Sequence, residues 1–171
     1  MSSLVPLKGH TPQVGPDCFI ADTARIIGEV RIGRGSSIWY NTTLRGDVMP
    51  IVLGDEVNVQ DGSVLHGTFG KYGCVIGDRV TIGHAVVLHG CEIGRECLIG
   101  MGSIVMDAVK IGAQSIVGAG SLVTEGSVFP EKSLILGRPA KVKRPLTEEE
   151  IAFLSKSADN YILYKSWYTT K

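Results

Sequence analysis

The chain has no charge of one sign to spare. Seventeen Lys and Arg balance 17 Asp and Glu. A neutral chain lacks the positive field expected of a nucleic-acid binder, so DNA and RNA are not expected partners. It also lacks any apolar run long enough to span a membrane, and the opening MSSLVPLKGH has none of the features of a secretory leader. No membrane partner is expected, and the cytoplasm is the expected compartment. Aromatic residues are scarce, at 6%. Cysteines number four (Cys18, Cys74, Cys91, Cys97), too few to staple 171 residues in place of a core. Cys91 and Cys97 each stand two residues before an aliphatic-Gly pair and read as small buried hydrophobes. With 44% hydrophobic and 20% charged residues, the composition excludes disorder, and the length fits one domain over residues 1–171.

Glycine, by contrast, is abundant, with 22 residues, and it is periodic. Aliphatic-Gly pairs recur from Ile27-Gly28 to Val117-Gly118. Aliphatics march in steps of six: Ile20, Ile26, Ile32, Ile38, Leu44, then Leu53, Val59, Leu65, then Ile76, Ile82, Leu88. The longest series runs from Ile93 through Ile99, Val105, Ile111, Val117 and Val123 to Phe129 and Ile135. A period of six fits neither an amphipathic helix nor a hairpin strand, but it fits a hexapeptide β-helix. Three hexads make one triangular coil of about 18 residues. The expected fold is an all-β solenoid, a parallel β-helix over 14–140 with roughly seven coils. Similarity to hexapeptide-repeat proteins implies a left-handed winding.

Past Pro139 and Pro145 the pattern changes. Thr147 and Glu150 form a capping box, Glu148 and Glu149 suit a first turn, and Ile151, Leu154, Ala158, Tyr161 and Ile162 follow at helical spacing. This predicts a helix over 147–168, packed back along the solenoid or capping its open end.

The series breaks twice, at Val48–Pro50 and within Gly67–Gly73. With these insertions removed, Leu44, Leu65 and Leu88 fall on one face of successive coils. Side chains alternate along a strand, so the residues that follow (Arg45, His66 and His89) form an outward column. His84 lies two residues past Ile82, at a corner, where it cannot easily meet His66 and His89 within one chain. Prisms packed around a threefold axis could bring it to a neighbour's pair. Three imidazoles and a water make the open tetrahedral set of catalytic zinc. The alternative is a solvated histidine on a repeat face, the reading given to His10.

Leu44-Arg45-Gly46-Asp47, Asn58-Val59-Gln60-Asp61-Gly62, Leu65-His66 and Ile82-Gly83-His84-Ala85-Val86-Val87-Leu88-His89-Gly90 together resemble the signature of γ-class carbonic anhydrases. The resemblance covers nearly the whole chain. It implies a homotrimer with interfacial zinc (or iron) held by His66, His84 and His89, and hydration of carbon dioxide to bicarbonate by a metal-bound hydroxide. It further implies that Gln60 hydrogen-bonds the metal-bound solvent and that Arg45 holds bicarbonate and pairs with Asp47 and Asp61 across the interface. Tyr161 matches a helix tyrosine that closes the site. A salt-bridge network without a catalytic part is the alternative for Arg45, Asp47 and Asp61.

One departure stands out. Val48 follows Asp47 and the segment GTFGKYGC has no carboxylate, so the proton-shuttling acids of active family members are absent. Low turnover is expected. Thioester hydrolysis of an acyl-CoA, a non-catalytic metal-stabilised trimer and, less favoured, hexapeptide acyl transfer are the competing functions.

Overall fold

Inward aliphatics set the architecture. The structure, a computed structural model, describes residues 3–169. Short strands wind into a left-handed parallel β-helix of about seven turns, and the recurring aliphatics stack inside it. Ile26, Ile38, Leu44, Leu65, Ile82, Leu88, Ile99, Val105, Val117, Val123 and Ile135 all have zero exposure. Each buried Leu or Ile contributes roughly 1.5–3 kcal/mol relative to exposure. Phe129 is only partly buried, because among the described residues no further parallel strand pairs beyond it. Cys74, Cys91 and Cys97 sit among the aliphatics, and all four cysteines are free thiols. Burial pushes the Cys97 thiol up to about 12, which fits an inert hydrophobe.

Register confirms the phasing through both insertions. Leu44 pairs with Leu65 and Leu65 with Leu88, which brings His66 opposite His89. The first insertion is a bulge. Gly28 pairs with Gly46 but Val30 pairs with Ile51, so Asp47–Pro50 are extruded against Glu29 alone. The second is a loop pinned by a bridge between Thr68 and Tyr72.

The solenoid extends past both expected limits. Leu4–Val5 pair in parallel with Ile26 and Ile27, ten residues before the expected start. The bridge between Leu7 and His10 interrupts the hexad there and hides the period. At the far end the chain does not stop at residue 140. Ala140–Pro145 turn back antiparallel onto Ser133–Gly137.

The helix runs from Glu148 to Thr169, one residue later at each end than expected, and packs back against the strands Phe19–Ile20, Ser37–Ile38 and Thr81–Ile82. Arg79 clamps it to the solenoid through Glu56 at 2.7 Å and Asp159 at 2.8 Å. Lys165, buried, donates to the carbonyls of Asp17 and Gly35. Among the described residues no helix is long and apolar enough to cross a membrane.

Candidate metal centre

The outward column carries the chemistry. His66 and His89 end adjacent parallel strands, and His66 Nδ1 lies 3.1 Å from His89 Nε2. Each ring gives its other nitrogen to a carboxylate: His66 Nε2 meets Asp47 Oδ1 at 2.9 Å, and His89 Nδ1 meets Asp107 Oδ1 at 2.7 Å. His84 stands apart at its corner, half exposed, with Nδ1 2.9 Å from Asp61 Oδ2. Each of the three histidines thus has a carboxylate partner from its own chain.

Within one chain the structure joins two of the three expected ligands. Among the described residues, no three His, Cys, Asp or Glu side chains converge closely enough to hold a metal. The corner that presents His84 explains why. Ala85, directly after it, adopts a left-handed φ of 55°, which turns the chain from the strand Thr81–Ile82 toward the strand Val87–His89. His84 therefore sits at the corner before that strand and His89 at its end.

Arg45 contacts Asp47 through Nη1, so Asp47 receives both Arg45 and His66. Burial pushes the Asp47 carboxyl up, but the hydrogen bonds from His66 and Arg45 outweigh it, and the pKa falls below its ordinary value. Asp107 behaves alike: desolvation raises it, and the bonds from Thr68 and His89 bring it below the ordinary range. Both are charged at neutral pH.

Gln60 is 6% exposed and its Nε2 donates to Asn58 Oδ1 at 3.1 Å. Asn58 in turn donates to Thr81 Oγ1 at 2.9 Å, and Thr81 meets Ser157 of the helix at 3.2 Å. One end of the Gln60 carboxamide is thereby tied to the helix that covers this face. Tyr161, on the same helix, packs edge-on to Trp39 with centroids 5.6 Å apart. Burial pushes its phenol up to about 12, with the Asp61 charge adding to the rise, so it stays protonated.

Asp107 and Thr68 were not legible as site residues. Asp107 lies 18 residues after His89, one residue past a full coil at this point, and that near-coil spacing was the available signal. Thr68 is in the inserted loop, and no periodicity places it.

A parallel hexapeptide β-helix bearing a carboxylate-backed histidine pair defines the class. The family model "Bacterial transferase hexapeptide (six repeats)" matches residues 73–105 and 90–125. A carbonic anhydrase of Geobacillus kaustophilus is 46% identical over 165 residues, covering 96% of this chain and 90% of that protein. The mitochondrial γ carbonic anhydrase 1 of Arabidopsis thaliana is 46% identical over 164 residues, covering 93% of this chain and 60% of that longer protein. A solved structure of a hexapeptide transferase family protein from Anaplasma phagocytophilum superposes with TM-score 0.94 at 48% identity, covering 98% of each chain. The chain belongs to the γ-class carbonic anhydrase family of hexapeptide-repeat proteins.

Proposed function

We propose that the chain hydrates carbon dioxide reversibly at a zinc (or iron) ion shared between subunits of a homotrimer, with His66 and His89 from one subunit and His84 from the next. The observation that carries this reading is the pair of facing nitrogens 3.1 Å apart, each on a ring whose other nitrogen is held by a carboxylate. Two nitrogens bound to one tetrahedral zinc at about 2.0–2.1 Å lie roughly 3.3 Å apart, so the pair fits the ion. Carboxylates behind metal-binding imidazoles fix the tautomer and strengthen the ligand.

Two partly exposed apolar stripes support the trimer. Val64, Val87, Ile104 and Leu122 face outward in register on the face that carries His66 and His89. Leu98, Ile116 and Leu134 face outward on the neighbouring face, in the coils beyond His84. The first stripe adjoins the His66–His89 half of the site, the second the His84 half. A head-to-tail ring would bury both stripes and close every site at once.

His66, His89 and a neighbour's His84 would hold the ion, which would supply an acidified water near neutral pH, the behaviour for which carbonic anhydrase zinc is the standard example. Gln60, held by Asn58, orients that water. Arg45, whose guanidinium is 42% exposed, presents a planar cation to the bicarbonate product while Asp47 steadies it. Tyr161, protonated, closes the His84 side. Protons must leave without a free carboxylate, since Asp47 and Asp107 are both engaged by ligand histidines. Turnover is accordingly slow.

The test is purification of the full chain followed by mass measurement, metal analysis and stopped-flow hydration. A trimer with about one ion per chain and measurable hydration is expected. A metal-free trimer active in acyl transfer, or a metal-loaded trimer active only on a thioester, overturns the reading.

A further inference from the structure

We propose that Asp107 is the positioning residue of His89, and that Thr68 locks Asp107 in place from the inserted loop. The inference rests on the reading that His66 and His89 hold a metal.

His89 can bond a carboxylate through Nδ1 only if that nitrogen carries the proton. This fixes the tautomer and leaves Nε2 as the lone-pair nitrogen, the one that faces His66 Nδ1. Asp107 is itself held: its Oδ2 accepts from Thr68 Oγ1 at 2.6 Å while Oδ1 takes His89. Both carboxylate oxygens are therefore committed, and the carboxylate has no rotation left that keeps both bonds.

Position 90 is bare beside this contact. Gly90 has φ of +57°, and a Cβ there would lie 2.1 Å from Asp107 Oδ1 and 2.8 Å from Tyr72 Cβ. Any larger residue would push the carboxylate off His89 and lift the loop. The 67–73 loop thus reaches the metal centre through one chain of contacts, Thr68 to Asp107 to His89. Asp47 is arranged alike, with one oxygen to His66 and the other to Arg45, but its second partner is a guanidinium on the same strand and not a loop hydroxyl. Asp61 is the most exposed of the three carboxylates, at 43% against 20% and 21% for Asp47 and Asp107.

The test is zinc affinity of the full chain by chelator competition, with the cobalt(II) absorption spectrum and the melting temperature of the metal-free chain alongside. Asp107→Ala is expected to weaken zinc binding by about 10–100-fold and to shift the cobalt bands. Asp107→Asn, whose amide oxygen still accepts from His89, should lose less, and Thr68→Val less again. A purely structural role would lower the metal-free melting temperature and leave affinity and spectrum untouched, and that result overturns the proposal. Should Asp107→Ala fail to fold, Asp107→Asn carries the test: unchanged zinc affinity and an unchanged cobalt spectrum in that variant overturn it too. A wild-type chain that binds neither zinc nor iron overturns this inference and the parent function together, whereas a metal-binding wild type with an indifferent Asp107 overturns this inference alone.

Discussion

Two stretches of the same solenoid differ in discipline. From Ile93 onward every coil is 18 residues: Ile93 pairs with Ile111 and Ile111 with Phe129, while Leu98, Ile116 and Leu134 keep the same step. Upstream the coils vary. Leu44 to Leu65 is 21 residues, Leu65 to Leu88 is 23, and Leu88 to Val105 is 17. Arg45, Gln60, His66, His84 and His89 all lie in the irregular stretch, and Asp107, which holds the His89 ring, comes from the regular one. Inward positions are taken by aliphatics in both stretches. Chemistry can occupy only outward positions and corners, and the insertions add the loops that frame them.

The largest effect expected from this division is on metal. His84→Ala removes a half-exposed side chain whose one polar partner is Asp61, so the fold should change by no more than about 0.5 kcal/mol. Metal affinity should fall by more than the roughly 100-fold seen when only an outer partner is lost. Lys110→Ala removes a comparably exposed side chain from the regular stretch, where Lys110 pairs with Glu92 at 3.1 Å, and should leave metal content unchanged. Metal analysis of both proteins decides the matter. If they lose metal alike, the two stretches are not functionally distinct.

Next comes a matched pair in the core. Leu65 and Ile111 are both buried, one in each stretch. Replacement of either by Ala should cost about 2–5 kcal/mol, through lost transfer energy and the cavity left behind. Only Leu65→Ala should also weaken metal binding, because Leu65 directly precedes His66 on its strand. Urea unfolding at one fixed chain concentration, with zinc affinity measured in parallel, separates these outcomes. Equal stability losses with equal affinity losses would show that the site senses only overall stability.

The two stretches also differed in how much of them could be read from the sequence. The hexad gave the coils because an inward aliphatic every six residues is a packing requirement, visible without any long-range information. It phased His66 over His89 correctly once the insertions were subtracted, and it left His84 outside that pair. It did not show Leu4–Val5 as part of the sheet, since the bridge at Leu7 and His10 breaks the period. Nor did it show the hairpin of Ala140–Pro145, which is antiparallel and follows no hexad. Asp107 stayed hidden for a different reason. Its partner is one coil away, and an acid beside a histidine in space need not be near it in sequence. Thr68 reaches the site from a loop whose path no periodicity dictates. The alternation rule finds which residues point outward, but a hydrogen bond from a loop depends on a backbone course that only the folded chain displays.

The smallest expected effect lies at the start of the helix, away from the face that carries His66 and His89. Thr147 N–H donates to Glu150 Oε2 at 2.9 Å and Glu150 N–H returns a bond to Thr147 Oγ1 at 3.2 Å, while Arg144 grips both carboxylate oxygens of Glu150. The Arg144 hydrogen bond leads in drawing the Glu150 carboxyl down to about 2 from an ordinary 4.5. A folded-state pKa below the unfolded value means stabilisation that is complete above about pH 4.5 and fades as pH falls toward 2. Glu150→Gln can still reach back to Thr147 but has no charge to lose. The stability gap between wild type and Glu150→Gln should therefore be greatest above pH 4.5 and close as pH approaches 2, followed by helical circular dichroism during thermal melts. Because both partners are partly open to solvent, at 46% for Arg144 and 30% for Glu150, solvent and salt screen the pair, and the gap should be small. At neutral pH the same variant should bind zinc as wild type does. An effect on zinc would mean that the helix terminus and the irregular coils act as one unit, which would erase the boundary drawn between the two stretches.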